Sequence, residues 1–268
     1  MTARPEPETL TPEEEQRLRA QLRPEADPAF LARLRSQSRA RHARHHRNLG
    51  WFDLNYEPNP IRVVHDGELI HLVTNDPGHF RDIAGEQLGY VPERGPDEDV
   101  RHRVENALAG ELRGDTIAYL GELPSFHRHV LEATAGIPRG EVRPYAWVAR
   151  LAGNAGAVRA AGTALAHNPV PFIVPCHRVV KSDLELGRYS AAGGTVTKER
   201  ILRFEGMQLD RLAELRSRGI RYLGHGGEAF CFPGCGGSWA PEDDFRTFRT
   251  VEEALALGYE PCSACRPA

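Results

Sequence analysis

The chain has 268 residues, of which 40% are hydrophobic and 26% are charged, and its formal net charge is −3 at pH 7. This length is sufficient for one large domain or two smaller ones, while the net charge excludes a uniformly basic surface. No apolar run approaches the length of a membrane span, and the first residues are rich in Pro, Glu and Arg where a signal peptide would be apolar. We therefore expect a globular cytoplasmic protein without a membrane partner.

Residues 1–50 alternate charges and contain few large apolar side chains, so we expect a peripheral charged extension. Within it, the stretch from Arg33 to Arg47 contains six arginines, three histidines and no acidic residue. This composition is compatible with contacts to DNA phosphates and equally with a solvated arm. A metal site at His42, His45 and His46 is less favoured because no cysteine or carboxylate lies among them.

Strand-like runs follow between residues 51 and 75, separated by turn signals at Asn59 and Asp66, and they predict a small antiparallel sheet. From residue 97 onward apolar side chains recur at helical spacing, which predicts a helical continuation of this α+β lobe. These apolar positions are Val100, Val104, Leu108 and Leu112.

A helix-turn-helix is predicted between residues 143 and 168, with a break at Gly153 and Asn154 and a second helix over about 155–166. The second helix consists almost entirely of small residues and has one charge, Arg159, whereas helices that read the major groove carry several long polar side chains. Two interpretations remain open. Either the slim helix enters a minor groove and presents Arg159 to the bases, or its small residues pack closely against a neighbouring helix.

The run PVPFIVPCHRVV follows Asn168 and contains Cys176, His177 and Arg178. Here the chain closely resembles the O6-alkylguanine-DNA alkyltransferases. The signature PCHRV is accompanied by IPRGEV and NPVP upstream and by GRYS, KE and FEG downstream. The resemblance is strong over about 126–207 and weak over 51–124, and it implies DNA repair by direct reversal.

The resemblance implies that Cys176 irreversibly takes a methyl or larger alkyl group from O6 of guanine, so that each molecule acts once. Such a displacement needs a thiolate, and a thiol with a pKa of about 8.5 is mostly protonated at neutral pH. By resemblance, His177 removes the proton through a bound water, Glu205 supports His177, and Asn168 braces the turn around Cys176. Tyr145, Ser190 and Lys198 would supply or support hydrogen bonds to the departing guanine.

The expected partner is alkylated double-stranded DNA, bound by a monomer through the minor groove. The damaged base must leave the stack, because O6 inside the duplex is out of reach of a buried thiolate. Resemblance makes Arg159 the finger that fills the vacated space, and it adds Ser190 and Arg178 to the DNA-contacting residues. The segment YSAAGGTVTK after Arg188 is two residues longer than is common in the family, which puts the placement of Ser190 in doubt.

Four of the five cysteines form two close pairs near the C-terminus, Cys231 with Cys235 and Cys262 with Cys265. Two such knuckles in a chain without a secretory signal favour tetrahedral zinc over disulfides. The transfer itself is expected to need no cofactor.

The region from about Leu209 resembles the zinc domain of the Ada repair regulator, whose pattern has the same spacing from Cys235 to Cys262. In Ada the first cysteine also accepts methyl groups from phosphotriesters, a role that would fall on Cys231. The arginines of the Ada loop are absent, however, so a structural zinc module that assists DNA docking or contacts a partner is favoured.

The sequence thus predicts an α+β protein with a small antiparallel-sheet lobe and a helical lobe carrying the helix-turn-helix, followed by a four-cysteine zinc domain. The expected divisions are 1–50, 51–122, 123–208 and 209–268. A single-use repair transferase is the favoured function, and a sensor or Ada-like regulator of alkylation damage is the alternative.

Overall fold

The computed structural model describes residues 49–95, 98–226, 229–236 and 246–266. The arginine-rich stretch 33–47, with His42, His45 and His46, lies outside the described residues. No described helix is long and apolar enough to cross a lipid bilayer.

The first lobe is built on a sheet with the strand order β3-β2-β1-β4. Its strands are β1 (Gly50–Leu54), β2 (Ile61–His65), β3 (Ile70–Thr74) and β4 (Glu93–Arg94). The pairs β1–β2 and β2–β3 are antiparallel, as predicted, while the short β4 runs parallel to β1. Asp66 forms the predicted turn, because its Oδ1 accepts hydrogen bonds from the backbone N–H groups of Glu68 and Leu69.

Helices α1 (Phe80–Gln87) and α2 (Glu98–Ala109) belong to this lobe, and α3 (Ser125–Ala135) follows it. Helix α2 buries Val100, Val104 and Leu108, as their spacing predicts. The helix ends before Leu112, contrary to expectation, because Gly110 adopts a left-handed conformation with φ of 87° directly after it.

The predicted helix-turn-helix consists of α4 (Tyr145–Leu151) and α5 (Val158–Ala166). Helix α5 begins about three residues later than predicted, because Asn154 holds a turn in which its Oδ1 accepts from the N–H of Gly156. One face of α5 is buried through Ala161, Ala164 and Leu165, and the opposite face is exposed and carries Arg159. The small residues therefore do pack closely against the core, on the side away from Arg159.

Cys176 lies in a short 3-10 turn, Cys176–Arg178, which follows α5 and precedes the helices α6 (Gly194–Phe204) and α7 (Leu209–Ser217). The turn continues into β6 (Val179–Val180), which pairs in parallel with β5 (Arg143–Pro144) directly before α4. This pairing ties the base of the helix-turn-helix to the cysteine turn.

The C-terminal part has a second sheet, with the order β10-β8-β7-β9. Its elements are β7 (Tyr222–His225), β8 (Ala229–Cys231), β9 (Arg246–Phe248), α8 (Val251–Ala256) and β10 (Glu260–Pro261). A single apolar cluster contains Val142, Val180 and Leu202 together with Cys231 and Cys235. The cysteine module therefore packs directly on the region that carries Cys176.

Candidate active site and metal centre

Asn168 organises the turn that carries Cys176. Its Nδ2 donates to the carbonyl oxygen of Val174 at 2.8 Å and to Sγ of Cys176 at 3.3 Å, while its Oδ1 accepts from the N–H of Val170 at 3.1 Å. These bonds close the segment 168–176 on itself and aim a donor at the sulfur. The predicted bracing position of Asn168 therefore has a geometric basis.

Behind Cys176, a buried carboxylate joins two neighbouring side chains. Nε2 of His177 lies 3.1 Å from Oε1 of Glu205. Arg178 donates to both oxygens of Glu205, from Nε at 2.9 Å and from Nη2 at 2.7 Å, and its Nη1 donates to the carbonyl of Ile137 at 2.7 Å. Nδ1 of His177 is buried and makes no hydrogen bond within the described part of the chain. This nitrogen is the one that can accept a proton if Nε2 carries one.

Burial and charge set the protonation of this group. Burial raises the pKa of the Cys176 thiol, although Asn168 and Lys198 act in the opposite direction. Burial also lowers the pKa of His177 against the attraction of Glu205, which favours a neutral imidazole. For Glu205 itself burial would raise the pKa, but His177 and Arg178 outweigh it and hold the pKa well below its usual range. The resting site therefore pairs a thiol with a neutral base and an ionised carboxylate.

Lys198 is fully buried, and its Nζ donates to the carbonyl oxygens of Val179 and Leu186, each at 2.5 Å. Burial lowers its pKa to about 8, while Cys176 acts to raise it. The Lys198 side chain thus links Val179, which follows the cysteine turn, to the loop that begins at Leu186. Its positive charge lowers the pKa of the Cys176 thiol. Lys198 is not among the residues that line the adjoining cavity.

A cavity of about 1300 Å³ opens above the sulfur. Tyr145, Arg159, Cys176 and Ser190 all line it, so four of the predicted residues meet around one space. Burial raises the pKa of Tyr145, which keeps its hydroxyl a hydrogen-bond donor. Gly187 lies beside the Tyr145 ring and has a φ of 73°, a left-handed conformation that favours glycine at this point of the loop.

Arg178 lies elsewhere than the sequence suggests. It was expected among the DNA contacts, but its guanidinium is buried and bonded to Glu205 and Ile137, with a side-chain exposure of 6%. All three residues of the 3-10 turn Cys176–Arg178 are buried, so Arg178 points into the protein and away from bound DNA.

Two tyrosines near Cys176 received no role from the sequence. Tyr189 lies with its ring centroid 6.4 Å from that of His177, and burial together with Cys176 raises its pKa well above the usual value. Tyr56, from the first lobe, packs edge-on against Phe172 and Phe204, and burial raises its pKa to about 12. The GRYS motif gave a signal for Tyr189, whereas Tyr56 lies in the region where the resemblance is weak.

The four C-terminal cysteines converge as predicted. The sulfurs of Cys231, Cys235, Cys262 and Cys265 all lie within 4.8 Å of one another, and none forms a disulfide. Sulfurs arranged tetrahedrally at a Zn–S distance of about 2.3 Å are separated by about 3.8 Å, so this donor set fits a zinc ion. Cys231, Cys235 and Cys265 are buried, and Cys262 is partly exposed.

A cation lies beside this cluster, although the arginines of the Ada loop are absent. Arg143 is buried, and its Nη2 donates to Sγ of Cys235 at 3.7 Å and to Oε2 of Glu141 at 2.5 Å. A backbone hydrogen bond also links the two segments, because the N–H of Val142 donates to the carbonyl of Gly234 at 3.0 Å. A Cβ at Gly234 would lie 2.5 Å from a methyl group of Val142, so the two segments are in close contact. The positive charge thus comes from β5, outside the module.

Two family models match the chain. Residues 125–207 match the model described as "6-O-methylguanine DNA methyltransferase, DNA binding domain", and residues 225–268 match "Metal binding domain of Ada". The matches cover the cysteine turn with the helix-turn-helix and the four-cysteine cluster.

Curated relatives carry the name methylated-DNA–protein-cysteine methyltransferase. That of Archaeoglobus fulgidus is 37% identical over 115 residues, which are 41% of this chain and 76% of the relative. That of Methanothermobacter thermautotrophicus is 42% identical over 90 residues, covering 34% and 49%, and the human protein is 47% identical over 88 residues, covering 32% and 42%. The chain spans about half the length of several of these relatives.

Among solved structures, the chain is similar to the O6-methylguanine methyltransferase of Mycobacterium tuberculosis, with 26% identity and a TM-score of 0.47. The match covers 59% of this chain and 92% of the other.

Proposed function

The chain belongs to the methylated-DNA–protein-cysteine methyltransferase family, and we propose that it repairs DNA by moving an alkyl group from O6 of guanine to Sγ of Cys176. The activity is that of a methylated-DNA-[protein]-cysteine S-methyltransferase. The observation that carries the proposal is the arrangement around Cys176: its sulfur lines the cavity and accepts from Asn168, and the next residue, His177, is paired with Glu205.

The transfer begins with removal of the thiol proton. Because burial keeps Cys176 protonated at rest, a base must act during attack, and the neutral imidazole of the adjacent His177 is the candidate. We propose that the proton passes through a water to Nδ1 of His177, while Nε2–H donates to Glu205 and the carboxylate stabilises the imidazolium. The nearby charge of Lys198 and the amide of Asn168 favour the thiolate that results.

The thiolate then attacks the alkyl carbon in line with the C–O6 bond. A C–S bond forms, the C–O6 bond breaks, and its electron pair leaves with the guanine, which becomes anionic until it is reprotonated. Tyr145 and Ser190 line the cavity, which supports a role for their hydroxyl groups as donors to this anion, whereas Lys198 would act through the loop that it holds. The thioether resists hydrolysis, so each molecule reacts once.

DNA binding is proposed for the helix-turn-helix. Arg159 lies exposed in the first turn of α5 and also lines the cavity, so it can enter the duplex where a base has moved toward Cys176. Minor-groove entry fits a helix whose other residues are small, and the cavity then receives the extruded base. We propose a cytoplasmic monomer acting on double-stranded DNA.

The four cysteines would hold a zinc ion whose role is structural. A bound zinc cross-links the two knuckles and thereby stabilises a segment with a small core of its own. Acceptance of phosphotriester methyl groups by Cys231 is disfavoured, because its exposed fraction is 0% and DNA would not reach it without rearrangement. The division of the chain at about residue 209 is part of this proposal.

A repair assay tests the proposal. The substrate is a duplex with O6-methylguanine inside a restriction site, and the restriction enzyme cuts this site only when the guanine is unmodified. Incubation with the protein should make the duplex cleavable, and the amount of cleavable duplex should equal the amount of protein added. Tight binding of the duplex without any restoration would instead favour the damage-sensor alternative.

A further inference from the structure

One wall of the cavity is the loop between β6 and α6. Gly187, Arg188, Tyr189 and Ser190 all face the cavity from this loop. The wall therefore determines where a base can lie relative to Cys176. A loop that carries such a wall must be held in place, since loops are otherwise the more mobile parts of a protein.

The start and the end of the loop are held by residues of α6. Lys198 binds the carbonyl of Leu186, and Oγ1 of Thr195 donates to the carbonyl of Gly187 at 3.3 Å. Oγ1 of Thr197 donates to the carbonyl of Ala192 at 2.7 Å. These three anchors all come from the helix that directly follows the loop.

A further anchor comes from the other lobe. Nδ2 of Asn75 donates to the carbonyl of Ala192 at 2.9 Å, and Oδ1 of the same side chain accepts from the N–H of Ala192 at 3.0 Å. One amide thus satisfies both backbone groups of one residue that lies 117 positions away in the chain. A paired bond of this kind fixes the orientation of the peptide as well as its distance.

Asn75 is itself on a rigid support. It directly follows β3, a strand whose residues are all buried and which pairs along its length with β2. Near the same end of β3, the N–H of Val73 donates to the carbonyl of Pro169 at 2.9 Å, next to the Asn168 that braces Cys176. The C-terminal end of β3 therefore contacts both the segment that carries Cys176 and the loop that lines the cavity.

We propose that Asn75 is a positioning residue for alkyl transfer: it sets the loop 187–194, and with it Ser190, at a fixed distance from Cys176. This inference deepens the proposed function and rests on it. It also gives the first lobe a direct part in forming the base pocket. Ser190 lies two residues from the anchored Ala192, so a shift of Ala192 carries Ser190 with it.

The test uses the full chain with Asn75→Ala and Asn75→Asp. The aspartate has nearly the same shape, but it places an oxygen against the carbonyl oxygen of Ala192 and so removes the donor. Asn55→Ala is the matched control, since Asn55 is an exposed asparagine of the same lobe. Hydrogen exchange of the segment 188–194 tests the anchor without any substrate, and we expect exchange at Ala192 to quicken about tenfold or more in Asn75→Ala, which removes the acceptor of its N–H.

Single-turnover kinetics then test the consequence for the reaction. With O6-methylguanine duplex, the transfer rate constant at saturating DNA should fall by about tenfold to a hundredfold in the Asn75 variants and stay unchanged in Asn55→Ala. Alkylation of Cys176 by iodoacetamide, which does not need the base pocket, should keep its wild-type rate in all variants.

Unchanged exchange at Ala192 overturns the anchor, whatever the activity of the protein. Faster exchange with a wild-type transfer rate, or an equal loss of the iodoacetamide reaction, overturns the positioning role. A wild-type chain that transfers no methyl group overturns the proposed function and the positioning role together, while the exchange result still decides whether the anchor exists.

Discussion

Glu205 serves two partners with one buried carboxylate. Its side chain is 1% exposed, and its oxygens bind the imidazole of His177 and the guanidinium of Arg178. Loss of the negative charge would leave Arg178 buried without a counter-charge, which is costly in a protein interior. The residue therefore contributes to folding stability as well as to the protonation of the site.

We predict that Glu205→Gln lowers the free energy of unfolding by about 3–5 kcal/mol at pH 7. The pKa of Glu205 in the folded protein lies below its usual 4.5, so the unfolded chain takes up the proton first as the pH falls. The stabilisation is therefore complete above about pH 4.5 and decreases below it by about 1.4 kcal/mol per pH unit. Urea unfolding of both proteins between pH 7 and about pH 3.5 measures this.

Glu199→Gln provides the control, because Glu199 is about half exposed and pairs with Arg203 on the surface. Its effect should stay below about 1 kcal/mol. A destabilisation by Glu205→Gln that does not change with pH would contradict the ionised, paired state of Glu205.

At the scale of elements, helix α5 has two different faces. The small residues of the buried face allow it to approach α3 and α4, and Arg159 lies on the exposed face next to the cavity. The close packing predicted as one interpretation is seen on the buried face, while entry of the exposed face into a minor groove stays a prediction.

Arg159→Ala should slow repair of O6-methylguanine in duplex DNA by about tenfold to a hundredfold, because the extruded base then returns to the stack more readily. Reaction with the free base O6-benzylguanine should change by less than about twofold, since no stack has to be opened. Arg128→Ala, which alters an exposed arginine on α3, is the control. Equal losses with both substrates would assign Arg159 to folding.

Strand β5 links the cysteine cluster to the helix-turn-helix. Arg143 binds Cys235 from this strand, and Pro144 leads directly into α4 at Tyr145. A cation that donates to a metal-bound thiolate stabilises its charge, and such supporting partners have strong effects on metal affinity. This short strand thus contacts the module and leads directly into the helix that carries Tyr145.

For Arg143→Gln we expect zinc affinity to fall by about 10-fold to 100-fold, seen as faster transfer of zinc to a chromogenic chelator. Arg143→Lys keeps the charge but has fewer hydrogen-bond donors, so its zinc affinity should lie between those of the wild type and Arg143→Gln. Zinc release at the wild-type rate from both variants would show that the contact with Cys235 does not support the metal site.

The sequence predicted the elements whose signals are local or belong to a motif. The hairpins, the helix-turn-helix and the convergence of the four cysteines follow from turn residues, periodicity and knuckle spacing. The contacts of Arg143 with Cys235 and of Asn75 with Ala192 join positions 92 and 117 residues apart, and no local pattern encodes such pairs. The inward position of Arg178 does not follow from the motif, because a linear motif does not show which of its side chains face the DNA and which face the core.

At the scale of the whole molecule, segments far apart in the sequence contact the segment 168–176 and the strand that follows it. The first lobe contacts the cysteine segment where Gly114 approaches Ile173, since a Cβ on Gly114 would lie 1.9 Å from the carbonyl oxygen of Ile173. The C-terminal module adds its own cluster to the core behind β5 and β6. The region around Cys176 is therefore in contact with both the first lobe and the C-terminal module.

Peptide mass mapping after reaction with O6-methylguanine duplex tests the central claim most directly. We predict one added methyl group per chain, located on the peptide that contains Cys176, with none on the peptides of Cys231, Cys235, Cys262 and Cys265. Cys176→Ala should bind the same duplex but remove no methyl group from it. Removal of the methyl group by the alanine variant, or its appearance on any residue other than Cys176, would contradict the account.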